Sequence, residues 1–376
     1  MSRMTKHVLS GAVCVCLAAA AGCGDPGTLK MDPTRAYMDA KIALLQAAED
    51  PAPEVRSVAL EALASVMGRD AGEVLTQALQ DEFAPVLFAA AMGVGDTRHL
   101  PAKSALLEMA KDKRTPLKVR GAVIYALHTL GDDQYTGELI LLLRHREDKS
   151  VRATAAMIMG RIGEPSAAGP LESLQAEDRD PDVQLAAVEA LATLRVRRYE
   201  VILEAFLNSQ YMEDRIVAAQ ALGRLGRTSS ARALRRLYYD GHVHPAVRVA
   251  AAGSLAQLGE PGGYPLAIRS ATKPADVLKQ ARGRGARVST NEVLSLQMIA
   301  IEALGHMKAT AAVDDLHPLL RGPEGRVRVA AARTIMRLLR AYGRAADVEA
   351  KARRVARTRP AGAPTTRRLH TSGGKD

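Results

Sequence analysis

The chain has 376 residues, 47% of them hydrophobic and 25% charged, with a formal net charge of +11, no Trp and three Phe. That hydrophobic share excludes wholesale disorder. Aromatics at 3% argue against sandwiches, barrels and propellers, which lean on aromatic and β-branched side chains.

Residues 1–22 read as an export signal, with Arg3 and Lys6 ahead of an apolar run from Val8 to Ala21. The run is shorter than the roughly 20 residues that span a bilayer as a helix. It ends Ala20-Ala21-Gly22-Cys23, which resembles the lipobox of bacterial lipoproteins, with Ala20 standing where Leu is usual. The resemblance implies a lipid on Cys23 and attachment to a membrane on the periplasmic side of a bacterial envelope. Ordinary cleavage after the Ala run, leaving a soluble periplasmic protein, is the alternative. Gly24 after the Cys, rather than Asp, points by the same resemblance to the outer membrane. Cys14, Cys16 and Cys23 are the three cysteines, so the exported chain holds at most one. Neither a disulfide nor a thiolate metal site is expected.

A short tether, 23–31, leads into one pattern that recurs nine times over residues 32–345. Its first positions are Val55, Val86, Val119, Val151, Val183, Asp214, Val247, Val293 and Val327. Successive copies start 31 to 34 residues apart, apart from one interval of 46. Ala at the fifth position, as in Ala59, Ala155 and Ala251, and an aliphatic residue at the ninth, as in Leu63 and Leu127, share one helix face. Gly131, Gly163, Gly226, Gly259 and Gly305 are expected to close these helices. A second apolar-periodic stretch follows each, as in AGPLESLQAED, and Pro53, Pro85, Pro181 and Pro245 reopen the pattern.

The unit V-R-x-x-A-A-x-A-L-G-x-L-G followed by a second helix resembles the HEAT-like repeat of the phycobilisome-lyase type. That resemblance covers nearly the whole exported chain and implies an all-α α-solenoid of about nine helix pairs. At roughly 10 Å per pair it implies an elongated, curved body of about 90 Å with the second helices on its concave face. On activity it is silent. Deoxyhypusine hydroxylase shares the scaffold but needs repeated His-Glu dipeptides, and this chain has none. Phycobilin lyases serve cytoplasmic antenna proteins, which an exported protein does not meet. No phosphate-binding loop, HExxH or nucleophile elbow occurs. The reading is a non-catalytic scaffold for protein partners, without cofactor or metal.

Arg follows the first position in six copies: Arg56, Arg120, Arg152, Arg215, Arg248 and Arg328. A structural ladder is expected, with Asp148, Asp180 and Glu324 capping helices and pairing with these Arg between repeats. His242 and His244, near Asp240, are the one His pair with a metal-ligand spacing, and carry the alternative of a metal-dependent enzyme, or of an oxidoreductase- or lyase-like enzyme with its site in a groove of the array.

Charge divides the chain. Residues 24–200 hold 21 Lys+Arg against 27 Asp+Glu, and residues 201–376 hold 29 against 14. The basic half offers Arg232, Arg235 and Arg236 on one helix. Lys279, Arg282, Arg284 and Arg287 fall in a Gly/Arg-rich stretch, about 272–291, read as a loop. Residues 346–376 read as a basic, disordered tail. These cations suit lipid headgroups, an anionic envelope polymer or an acidic protein surface. Export and the lack of aromatic stacking platforms argue against nucleic acid.

Overall fold

A computed structural model describes residues 29–260, 262–283, 286–340 and 342. The expected export signal with Cys23, Arg284 and the expected basic tail lie outside them. The helices in chain order are α1 (Pro33–Ala47), α2 (Pro53–Met67), α3 (Gly72–Ala78), α4 (Ala84–Thr97), α5 (Lys103–Lys111), α6 (Leu117–Thr129) and α7 (Glu138–Leu143). Next come α8 (Lys149–Ile162), α9 (Ala168–Glu177), α10 (Pro181–Thr193), α11 (Arg197–Phe206), α12 (Met212–Leu225), α13 (Ala231–Tyr239) and α14 (Pro245–Gln257). The chain continues through α15 (Tyr264–Thr272), α16 (Pro274–Arg282), α17 (Thr290–His306), α18 (Ala312–Leu316) and α19 (Gly325–Leu338). The nine V-R segments form α2, α4, α6, α8, α10, α12, α14, α17 and α19.

Helix ends follow local chemistry. Pro opens α1, α2, α10 and α14, where its missing N–H is no loss. The Asp148 carboxylate accepts from Ser150 N at 2.7 Å, and Asp180 accepts from Asp182 N at 3.0 Å. Ser289 and Glu292 form a reciprocal capping box on α17. Glu324, expected to cap α19, stands at its N-cap without a side-chain bond. Gly163 and Gly226 end their helices at φ of +82° and +68°. Gly305 does not cap: α17 runs on, and the left-handed residue is Lys308 at φ +53°. A Cβ on Gly305 would sit 3.3 Å from Thr334 Cγ2 on α19.

The V-R helices form a continuous inner layer, each packed on the one before and the one after. Small residues bring these helices close together. A Cβ on Gly160 would fall 2.8 Å from Ala190 Cα, and one on Gly223 2.9 Å from Ser254 Cα. The shorter second helices form an outer layer and pack mainly on the V-R helix that follows them.

The array is not an open arc. The last V-R helix, α19, packs against the first, α2, and α1 packs against α19 more extensively than against its neighbour α2. Helix α1 therefore takes the place of a second helix beside the ninth V-R helix, and the solenoid closes on itself. Ala36, Tyr37, Ala40, Leu44 and Ala47 form the buried stripe of α1. Polar bonds lock the junction: His317 Nε2 lies 3.0 Å from Asp39, and Arg328 donates to Asp50 at 3.0 Å. Within the expected tether, the amides of Lys30 and Met31 donate to Asp314 at 2.9 and 3.0 Å.

Closure corrects two expectations. The body is a ring rather than a 90 Å bow, and the V-R helices, not the second helices, line its inner face. Asp96 on α4 accepts from Tyr125 on α6 at 2.7 Å and from Arg161 on α8 at 2.6 Å. A bond that skips a repeat is within reach only on a concave side. With neighbouring helix axes about 9 Å apart, nine helices make a ring about 26 Å across between axes, leaving a lumen of about 15 Å.

The Arg ladder is structural, but with partners other than those expected. Arg56 pairs with Asp81, Arg120 with Glu138 and Arg152 with Asp178, at 2.9, 2.5 and 2.6 Å. Each carboxylate lies on or just after the second helix of the same repeat. Asp50, after α1, holds the equivalent place for Arg328. The free arm of the guanidinium satisfies carbonyls of the preceding loop, as Arg152 does with His145 O at 3.0 Å. Asp180 joins Lys149 instead, at 2.9 Å across the repeat boundary. Arg152 and Asp178 are largely screened from water, so Arg152→Met should cost about 1–3 kcal/mol at neutral pH. The Arg152 bond holds the Asp178 carboxyl below its usual 3.8. The pair therefore contributes stability above that value and loses it as pH falls through the depressed one. Urea titrations should show the cost of the substitution shrinking in acid; an equal cost at pH 7 and pH 2 would contradict this.

The long interval is not a loop throughout. Pro274 and Asp276 start α16, Val277 and Leu278 bury its apolar side, and Lys279 and Arg282 favour its C-terminal end.

Candidate functional site

The lumen gathers charged groups from every part of the sequence. Glu61 on α2 faces Arg333 of α19, Arg161 of α8 and Asp96 of α4. Glu61 is exposed to water, and the protein mass around it still pushes its carboxyl above the usual range, outweighing the two arginines. Enclosure and the neighbouring Asp96 raise the Tyr125 hydroxyl to about 12. On the far side Arg224 of α12 pairs with Glu189 of α10. Glu302 of α17 lies 3.7 Å from His306 and 3.5 Å from Arg333. His306, with Arg333 and Arg337 beyond it, lowers the Glu302 carboxyl to about 2. Burial and the like charge of Arg333 depress Arg337.

The V-R helices start on the side of the ring where a cavity of about 480 Å³ opens between α2, α4, α6 and α8. Pro85, Phe88, Leu117 and Val151 provide apolar wall, and Glu61, Lys118, His145 and Thr154 the polar groups. Wider clefts of about 1090 and 1010 Å³ are open shelves at the rim, beside the Arg152–Asp178 pair and around Asp81 and Asp112. A small polar pocket of about 100 Å³ between α12, α14 and α17 is lined by Gln220, Arg224, Gln257, Glu302 and His306.

The cations singled out in the sequence do not converge on the lumen. Arg232, Arg235 and Arg236 lie exposed on α13 in the outer layer, and Lys279 and Arg282 on α16. Arg235 is committed to Glu260 at 2.9 Å, and Arg282 to Glu292 and the carbonyl of Arg287. Arg232, Arg236, Lys279 and Arg287 are exposed and make no ion pair among the described residues. Arg284 and Cys23 lie outside the described residues. His244 is the N-cap of α14, accepting from Ala246 N at 3.2 Å, and burial lowers its pKa. His242 is exposed, and its amide donates to Asp240 at 2.9 Å. Among the described residues no group of three or more His, Cys, Asp or Glu is placed to hold a metal ion.

Sequence reasoning missed Glu61, Asp96, Arg161, Glu302, Arg333 and Arg337. These are the polar positions of the V-R helices off the apolar stripe, and nothing in the local pattern separates them from an ordinary solvated face. Part of the charge division also belongs to the ring. The acidic half meets the basic half twice. Glu189–Arg224 and Glu200–Arg227, the latter at 3.2 Å, bridge the joint around α10 and α12. Asp39–His317 and Asp50–Arg328 bridge the chain-end junction.

Comparison with known proteins places these features in context. The profile described as HEAT repeats matches residues 42–128, 113–192 and 199–285. A HEAT repeat-containing taxis protein of Halobacterium salinarum is 35% identical over 149 residues, covering 34% of this chain and 36% of that protein. The chain thus spans about a third of the length of that curated relative. Among solved structures, the complex of CpcE and CpcF of phycocyanin lyase from Nostoc sp. PCC7120 is 20% identical with a TM-score of 0.39, over 70% of this chain and 99% of that one. Human deoxyhypusine hydroxylase in complex with glycerol is also 20% identical, at a TM-score of 0.31, over 71% of this chain and 99% of that one.

Proposed function

Because the chain belongs to the HEAT-repeat family, a scaffold-building family, we propose that it is a non-catalytic, lipid-anchored ring that holds a protein partner on the periplasmic side of a bacterial envelope. The Ala20-Ala21-Gly22-Cys23 sequence behind a basic, apolar leader carries the anchoring part of this reading. From Cys23 to Leu29 the backbone reaches at most about 20 Å, so a lipid on Cys23 keeps the junction of α1 and α19 close to the membrane. The exposed, unpaired Arg232, Arg236, Lys279 and Arg287 supply an outward basic surface for lipid headgroups or an anionic envelope polymer.

Envelope fractionation of bacteria making the full chain tests the anchor. The native chain should remain with membranes through a high-salt wash and be released by detergent, its N-terminal peptide carrying a diacylglyceryl Cys23. Cys23→Ser should appear in the soluble fraction after the same wash. A native chain recovered soluble, with an unmodified N-terminus, would reject lipid anchoring. Cross-linking mass spectrometry of detergent-solubilised envelopes then identifies what sits on the ring.

A further inference from the structure

We propose that the mouth of the lumen between α2, α4, α6 and α8 binds a small, largely apolar molecule carrying an amine or amide N–H, which it donates to the Glu61 carboxyl. The cavity of about 480 Å³ falls within the range of pockets that enclose small molecules, roughly 300–1,000 Å³. Its walls come from four successive V-R helices, whose first turns face one another because the inner layer is concave. Phe88 and Leu117 leave apolar surface uncovered there, Leu117 with 38% of its area exposed. Removing such surface from water favours an apolar occupant.

Glu61 gives the occupant its polar end. Its carboxyl accepts no hydrogen bond from any described residue. The arginines that face it are engaged elsewhere, Arg161 with Asp96 and Arg333 with Glu302. Asp148 at the rim caps α8, so it does not compete for the same donor. Glu61 is exposed at the mouth, so its carboxyl is open to a donor arriving from a ligand. One helical turn deeper, the Arg161–Asp96 bridge crosses the face of Tyr125 and narrows the lumen. The site therefore has apolar walls at its mouth and polar groups deeper in the lumen. A helix 10–12 Å wide does not thread past that bridge, which favours a small molecule over a polypeptide element.

The probe is N-phenyl-1-naphthylamine, an apolar arylamine whose fluorescence rises on leaving water, titrated into the purified full chain. Saturable binding at one site per chain is the expected result. Leu117→Arg places a charge on the open wall at an exposed helix start and should weaken binding by about tenfold or more. Glu61→Leu removes the acceptor and should weaken it about fivefold, while Glu61→Gln, which keeps a carbonyl acceptor, should lose less. Circular dichroism of each variant establishes that the ring is folded. Non-saturable binding, or saturable binding that Leu117→Arg and Glu61→Leu leave unchanged, would overturn the proposal.

Discussion

Leu44→Ala should cost about 2–5 kcal/mol and open the ring between its two chain ends. Leu44 is fully buried at the centre of the stripe that α1 presents to α19 and the turn before it. In an open solenoid a truncation affects one repeat and its neighbours. Here the same loss falls on the one joint that no peptide bond spans. Leu75 on α3 is equally buried and provides the matched control. Leu75→Ala should cost a similar amount while leaving the ring closed. Small-angle scattering should show a larger radius of gyration for Leu44→Ala than for Leu75→Ala, and denaturation should lose cooperativity in the former. Gly325→Val attacks the same joint from α19, because a Cβ there lies 2.5 Å from Val55 Cγ2 on α2. If Leu44→Ala and Leu75→Ala proteins match in radius and cooperativity, α1 does not fasten the ring.

The second large effect lies in the inner wall. Gly160→Ala should destabilise by about 1–3 kcal/mol, although replacing a helical Gly by Ala ordinarily stabilises by roughly 0.5–1 kcal/mol. The reversal follows from position: the new Cβ meets Ala190 Cα at 2.8 Å, and backbone does not swing aside as a side chain does. Separating α8 from α10 in a closed ring also displaces the other joints, so the strain is not relieved at a free end. Gly169→Ala, on α9 with nothing within 4 Å of its Cβ, should be neutral or stabilising. Chemical denaturation of the two variants decides the matter, and equal signs would reject the close-packing argument.

The repeat itself was legible because apolar spacing, proline starts and acidic caps are local signals. The structural role of Arg152 and Arg328 was legible too, though their partners were not. Arg152 has Asp148, Asp178 and Asp180 all within electrostatic reach, and tertiary geometry selects Asp178. Closure also left a trace. The array begins with a second-type helix, 33–47, and ends its described part with a V-R helix, α19. Asp50 stands before the first V-R helix in the place that Asp81 and Asp178 take after second helices. Either sign marks an array whose two ends complete one unit.

The sequence alone determined the all-α repeat, the number of V-R helices and the division of charge. Those depend on residues near one another in the chain. Tertiary structure alone decided that the array closes, which layer faces inward, and that Glu61, Asp96 and Arg161 meet. Closure of nine units needs an average turn of about 40° per unit. That turn is set by how deeply each pair of inner helices packs. A few degrees' difference, accumulated over the array, separates a ring from an open superhelix.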